Sequence, residues 1–198
     1  MSGVRTYNKH DVVSFAKTRG HFGGLSNMSQ EYIMFVNEIP IHTVEALYQA
    51  CKYPLYPKIQ EEIIAERNPM MVKRISRKYH QYVRQDWDEI KFKVMEWCLT
   101  VKLTQNWERF GDLLKSTNNA TIVEYSSKDN IWGAMPRGRD ELVGINAMGR
   151  LLMKLREKYV QTNKRPQFVT PPQITGFLFM GMPITKVYPA EYYLEDLE

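Results

Sequence analysis

The sequence lacks the features that mark secreted and membrane proteins. Its 198 residues include two cysteines, Cys51 and Cys98, which are too few for a disulfide framework and suggest reduced thiols. Its longest apolar-looking stretch, residues 176–184, is far shorter than the roughly 20 residues of a membrane-spanning helix. The N-terminus is polar, so we expect no signal peptide. These features predict a cytoplasmic protein without a membrane partner.

Signature motifs of several enzyme classes are also missing. The sequence contains no phosphate-binding P-loop, no dinucleotide-binding GxGxxG and no GxSxG nucleophile motif. Its four histidines are scattered, and no spacing of histidine and cysteine resembles a metal site. We therefore predict no bound metal and no cofactor.

The composition is that of a globular protein. Hydrophobic residues make up 43% and charged residues 25%, which excludes disorder or a collagen-like repeat as the overall state. The length suits one domain, or one domain with an appendage. Residues 163–198 hold four prolines between Pro166 and Pro183 and too few apolar residues for a core of their own. We predict a main domain over residues 1–162 and a C-terminal extension over 163–198 packed on it.

Local signals predict mostly helices. β-forming residues at 32–42 predict a small hairpin, and Thr43 is a typical N-cap for a helix running to about Lys52. Asn68 followed by Pro69 predicts a second helix start. The other predicted elements are helices over 86–105, 107–115 and 146–159, and strands over 121–125, 177–180 and 184–188.

The charge is distributed unevenly along the chain. The net charge of +5 permits a polyanionic partner but does not require one. Between residues 67 and 85 there is no acid, and the basic residues are Arg67, Lys73, Arg74, Arg77, Lys78 and Arg84. This segment is either a solvated helix face or a face that follows the phosphates of a nucleic acid.

The predicted helix after Thr43 has one polar face. At 100° per residue, Glu45, Gln49 and Lys52 fall within an arc of about 60°, opposite the apolar residues of the helix. Such a face is usually solvated. A carboxylate, an amide and an ammonium group on one face could equally line a cleft.

Two further segments are candidate binding sites. Gly144 and Asn146 stand at a predicted helix start, where free backbone N–H groups could bind phosphate, although glycine there could also serve close packing. The loop Asp129–Gly133 contains Trp132, which could form the wall of a ring-binding pocket or plug the edge of the core.

Taken in order, several segments resemble the NADAR (YbiA-like) family. The resemblance covers about residues 19–160, and it rests on the order and spacing of the segments together rather than on any single one. The matching segments are GLSN from residue 24, TVEALYQACK from 43, NPM from 68, RQDW from 84, LLKST from 113, VE from 123, DNIWG from 129 and GINAMGRLLM from 144.

The resemblance implies an α+β fold, a mainly helical single domain with a small β-sheet, extended here at the C-terminus. It also implies a hydrolase, an N-glycosidase acting on ribosyl–amine bonds. One branch of the family removes ADP-ribose from guanine in nucleic acids, and we favour this substrate because of the basic segment at 67–84. Another cleaves phosphorylated ribosylamino-pyrimidine intermediates of riboflavin synthesis. The alternative outside enzymes is a binding module for ADP-ribosylated ligands or single-stranded nucleic acid.

By the same resemblance, the polar helix face becomes the wall of an active site. Glu45 would act as acid, base or charge stabiliser, Lys52 would form an imine or bind phosphate, and Asp129 would orient water or a sugar hydroxyl. The residues expected to bind substrate are Asn27, Gln49, Trp132, Gly133, Gly144 and Asn146. The residues expected to bind nucleic acid are Arg74, Arg77 and Lys78.

Overall fold

A computed structural model describes residues 3–194. The strands are β1 (Arg5–Asn8), β2 (Val12–Phe15), β3 (Met34–Val36), β4 (Ile39–Ile41), β5 (Thr121–Glu124), β6 (Met135–Arg137), β7 (Glu141–Gly144), β8 (Leu178–Phe179) and β9 (Met182–Pro183). The helices are α1 (Val44–Ala50), α2 (Pro57–Ala65), α3 (Pro69–Lys78), α4 (Trp87–Gln105), α5 (Trp107–Ser116), α6 (Ala147–Leu155) and α7 (Glu191–Leu194). The predicted α+β, mainly helical class is confirmed.

The predicted helix starts form through their capping side chains. The Thr43 hydroxyl accepts a hydrogen bond from the Ala46 N–H at 3.0 Å and opens α1. The Asn68 side chain accepts from the Met70 N–H at 3.0 Å, and Pro69 occupies the first position of α3. Helix α1 ends at Ala50, two residues earlier than predicted. The Lys52 and Tyr53 N–H groups donate to carbonyls only three residues back, which closes a tight turn in place of a further helical turn.

Helices α2 and α7 and strands β1, β2, β6 and β7 were not predicted, and the second strand of the C-terminal pair, predicted over 184–188, lies at Met182–Pro183. Two prolines, Pro54 and Pro57, suggested only the end of a helix, yet Pro57 occupies the first turn of α2, where its missing N–H costs nothing. Strands β1, β2, β6 and β7 have only three or four residues each. Their pairing partners are mostly distant in sequence, which a local pattern does not reveal.

The described chain divides into two compact units, the first comprising residues 3–26 and 108–165. In this unit β7 lies between β1 and β6, antiparallel to both, and β2 pairs with β5 in parallel, with Val12 opposite Thr121. Helix α6 packs against β5. A small core joins Tyr7, Val123, Ala134 and Leu142.

The second unit comprises residues 27–107 and 166–194. Helix α1 packs against α2, α3 and α4, so it lies at the centre of this unit. The predicted hairpin forms from β3 and β4, with Met34 opposite Ile41. No helix within the described residues is both long and apolar enough to cross a membrane.

Residues 166–194 pack within the second unit. The Gln60 amide donates to the Leu178 carbonyl at 3.0 Å and accepts from the Met180 N–H at 2.7 Å. The Phe177 ring meets the Trp97 ring edge-on, with 5.4 Å between centroids. The boundary between residues 162 and 163 stays a prediction, and residues 195–198 of the predicted extension lie outside the described residues.

Candidate active site

The polar face of α1 is buried. Glu45 is only 1% exposed, and its Oε1 accepts a hydrogen bond from the Gln49 amide at 2.7 Å. Its Oε2 accepts from the Asn27 side-chain amide, while the Asn27 carbonyl accepts from the Glu45 N–H at 2.9 Å. The structure therefore brings three predicted site residues, Asn27, Glu45 and Gln49, into one cluster.

Lys73 supplies the charge that balances this carboxylate. Its Nζ lies 3.7 Å from Glu45 Oε1, and its side chain is 35% exposed against 1% for Glu45. A buried carboxylate is costly unless charged or hydrogen-bonding groups compensate it. Our sequence reasoning placed Lys73 only in the basic segment. The signal that could have found it is the adjacent Val72, which marks the buried side of α3.

Lys52 lies beside two aromatic rings, those of Tyr48 on α1 and Trp87 at the start of α4. Its Nζ is 5.4 Å from the centroid of the Trp87 ring and 5.8 Å from that of Tyr48. The two rings contact each other, with 4.9 Å between centroids. Such geometry attracts a cation to the ring faces.

Other surroundings of Lys52 act against its positive charge. Burial lowers the pKa of Lys52, and the positive charges of Lys73 and Arg77 lower it further, while the Glu45 carboxylate opposes the shift. Burial, helped by the Glu45 charge, raises the pKa of the Tyr48 hydroxyl and keeps it protonated. This part of the site thus combines a fixed carboxylate, suited to acid–base chemistry, with a lysine whose lowered pKa makes its neutral, nucleophilic form easier to reach.

Asp129 organises the predicted loop in the first unit. Its Oδ1 accepts hydrogen bonds from the backbone N–H groups of Ile131 at 2.8 Å and Trp132 at 2.9 Å. A Cβ on Gly133 would lie 2.5 Å from the Glu124 carbonyl oxygen, so only glycine fits there. These contacts explain the loop conformation that presents Trp132.

The start of α6 is satisfied from within the protein. The backbone N–H groups of residues 145–148 donate to the carbonyls of residues 130–133 at 2.6–3.0 Å. The buried Asn146 side chain accepts from the Glu124 N–H and donates to the Ile122 carbonyl. A Cβ on Gly144 would clash with the Gly133 carbonyl. The N–H groups on which the phosphate prediction depended are therefore already used, and Asn146 holds β5 to α6.

The three basic residues predicted to bind nucleic acid differ in their surroundings. Arg74 and Arg77 are exposed on α3. Lys78 forms an ion pair with Glu62 at 3.3 Å and lies 4.6 Å from the centroid of the Tyr79 ring. Among the described residues, no group of three or more His, Cys, Asp or Glu side chains is placed to hold a metal ion.

Comparisons with known proteins identify relatives for most of the chain. The NADAR domain model matches residues 14–160. The NMR structure of the E. coli protein YbiA aligns with a TM-score of 0.66 at 32% identity, covering 77% of this chain and 88% of that one. This agreement confirms the YbiA-like fold.

Several curated relatives carry functional names. The chain is 33% identical over 165 residues to the chloroplastic riboflavin biosynthesis protein PYRR of Zea mays, covering 77% of this chain. It is 34% identical to the riboflavin biosynthesis protein VVA0006 of Vibrio vulnificus and 33% identical to N-glycosidase R617 of Acanthamoeba polyphaga mimivirus. These matches cover 58% and 46% of this chain.

The matched parts of these relatives are limited. The chain spans 26% of the length of the maize protein, 29% of the Vibrio protein and 56% of the viral protein. The family model, by contrast, covers most of this chain, and the alignment with YbiA covers most of both proteins. On these two matches, the chain belongs to the NADAR domain family.

Proposed function

We propose that this chain is an N-glycosidase that hydrolyses the bond between the anomeric carbon of a ribose and an exocyclic amine. The observation that carries the proposal is the buried Glu45 carboxylate, whose two oxygens are fixed by the Asn27 and Gln49 amides. A mimiviral relative is named an N-glycosidase, and two others are named riboflavin biosynthesis proteins. A fixed carboxylate is the side chain that glycoside hydrolysis commonly uses.

Glu45 would serve as the acid–base group of this reaction. Its carboxylate takes a proton from water as the water oxygen bonds to the anomeric carbon. The carbon–nitrogen bond breaks, and Glu45 passes the proton taken from water to the departing amine, so the products are the free sugar and the free amino base and Glu45 returns to its charged form. The negative charge of Glu45 also stabilises the oxocarbenium-like carbon of the transition state.

The alternative route runs through the ring-opened form of the sugar, and in it Lys52 would be the nucleophile. The Lys52 amine, whose pKa burial lowers, would in its neutral form attack the opened C1 imine, release the base amine and leave a lysine–sugar imine. Water would then hydrolyse this imine, returning the lysine amine and releasing the sugar aldehyde. The other role open to Lys52 is a charged contact to a substrate phosphate.

The substrate that we propose is ADP-ribosylated guanine in nucleic acid. Arg74 and Arg77 are exposed on α3, the same helix whose Lys73 contacts Glu45. Phosphate groups flanking a base at Glu45 would therefore meet positive charge. Trp132 and Gly133 lie in the first unit, in the loop that Asp129 folds, and their contacts to substrate stay a prediction. We also propose a cytoplasmic location, where both buried cysteines stay reduced.

A second candidate substrate is the phosphorylated ribosylamino-pyrimidine that the family resemblance implies, and it is favoured by the maize and Vibrio relatives named riboflavin biosynthesis proteins. The test is to incubate the protein separately with this compound and with an oligonucleotide ADP-ribosylated on guanine, and to weigh both products. Release of free ADP-ribose and intact oligonucleotide supports the first substrate. Cleavage of the pyrimidine compound alone supports the second, and tight binding without any product supports a non-catalytic module.

A further inference from the structure

Two exposed tyrosines, Tyr56 and Tyr82, form a pair on the second unit. Tyr56 is 38% exposed and Tyr82 is 41% exposed, and their ring centroids are 4.9 Å apart. Tyr56 immediately precedes α2, and Tyr82 ends a short 3-10 turn, His80–Tyr82. Tyr79 extends the group, with its centroid 6.4 Å from that of Tyr82. We name Tyr56, Tyr79 and Tyr82 the tyrosine face.

The tyrosine face adjoins the candidate active site. The Arg84 N–H donates to the Lys52 carbonyl at 2.9 Å, which ties the segment carrying Tyr82 to the turn that follows α1. Tyr56 comes four residues after Lys52 on the other side of that turn, and its N–H donates to the Tyr53 carbonyl at 3.0 Å. Tyr56 and Tyr82 therefore lie on two backbone segments that meet at the turn containing Lys52.

Basic side chains accompany the tyrosine face. The Lys78 Nζ lies 4.6 Å from the centroid of the Tyr79 ring, and Arg77, one residue before Lys78, is exposed. The acid that faces this group is Glu62, which pairs with Lys78 and accepts a hydrogen bond from the Tyr79 hydroxyl at 2.6 Å. Glu62 thus holds Tyr79 and Lys78 in place, while Arg77 stays exposed for a ligand.

We propose that the tyrosine face binds single-stranded nucleic acid by stacking on bases next to the one held at Glu45, which rests on the proposed function. Open aromatic rings combined with basic side chains suit single strands, because every unpaired base offers a flat face and every linkage a phosphate. In a duplex the bases stack on one another, so the rings have no base face to contact. The tyrosine face therefore selects single strands over duplexes.

The test is fluorescence anisotropy with a labelled, unmodified oligonucleotide of about 12 nucleotides, free and annealed to its complement. We expect the single strand to bind more tightly than the duplex. Tyr82→Ala should weaken binding of the single strand about tenfold, whereas Tyr82→Phe, which keeps the ring, should bind like the unsubstituted protein. The matched control is Tyr192→Ala, which removes a 58% exposed tyrosine elsewhere and should leave binding unchanged.

Several results would overturn the proposal. These are equal affinity for the single strand and the duplex, no binding of either, or a loss with Tyr82→Phe as large as with Tyr82→Ala. If the tyrosine face binds a protein in place of nucleic acid, we expect either equal affinity for the single strand and the duplex or no binding of either. The proposed function is tested separately by hydrolysis of an ADP-ribosylated guanosine mononucleoside, which needs no flanking bases. If the mononucleoside is cleaved but the oligonucleotide does not bind, only the stacking proposal is wrong. If the oligonucleotide binds but the mononucleoside is not cleaved, only the proposed hydrolase activity is wrong.

Discussion

The substitution Glu45→Gln separates the charge of this side chain from its shape. Both Glu45 oxygens accept hydrogen bonds, one from the Asn27 amide and one from the Gln49 amide. A glutamine at this position would therefore point its own NH2 donor at one of these two donors. The Gln49 Oε1 is buried and has no hydrogen-bond partner within the described residues. A half-turn of the Gln49 amide would bring this oxygen round to accept from the new NH2 group, so the cluster can close again.

The expected magnitudes follow from these contacts. The main loss in stability is the ion pair with Lys73, whose 35% exposure screens it, so the free energy of unfolding should fall by about 1 kcal/mol. Loss of the acid–base group should lower the rate of bond cleavage by about a hundredfold or more, close to 3 kcal/mol of transition-state stabilisation. Glu45→Ala is a poorer test, because each unpaired amide donor would cost about 1–3 kcal/mol of stability.

The assay is the single-turnover rate on ADP-ribosylated guanosine, measured beside a urea denaturation curve for the same preparation. A variant that keeps its fold and loses the rate supports catalysis by Glu45. A variant that keeps both fold and full rate would refute the reasoning, since Glu45 would then be only a buried structural carboxylate.

Three further predictions test other parts of the structure. Lys52→Arg keeps the charge but cannot form an imine, so we expect little activity from this variant. Borohydride should trap a sugar adduct on the unsubstituted protein and none on the variant. An active arginine variant would indicate that Lys52 binds phosphate. Burial lowers the pKa of Lys102 well below 10.5, so the unfolded chain binds this proton more tightly and stability rises with pH towards 10.5. Lys102→Met should flatten that rise in denaturation midpoints at pH 7 and 9, and an unchanged slope would contradict the assignment. Asn146→Ala removes two buried hydrogen bonds and should cost about 1–3 kcal/mol for each, whereas a stable variant with only a raised KM would restore the phosphate prediction.

The features predicted well are those that depend on neighbouring residues. Thr43 and Asn68 cap their helices as expected, because a capping side chain reaches N–H groups only two or three residues away. The helical repeat also placed Glu45 and Gln49 on one face, and their side chains are hydrogen-bonded. Local chemistry was sufficient for these contacts.

The features missed depend on segments that are distant in sequence. Glu45 is buried because Asn27 and Lys73 reach it from 18 residues before and 28 residues after, and nothing within α1 indicates either contact. The parallel pairing of Val12 with Thr121 is likewise invisible to a local pattern. The contacts at the start of α6 were missed for the same reason, since its N–H groups bond to a loop that the sequence pattern did not connect with it.

The central claim is that this chain cleaves a ribosyl–amine bond by hydrolysis. The most direct measurement is a mass analysis of both products after incubation with guanosine ADP-ribosylated on its amino group. The proposed chemistry predicts intact guanosine with a free amino group, together with free ADP-ribose, in equal amounts. Recovery of unreacted substrate would contradict the claim for this substrate, and so would adenosine monophosphate released by cleavage at the pyrophosphate. If the protein also fails to cleave the ribosylamino-pyrimidine phosphate, the N-glycosidase proposal is wrong altogether.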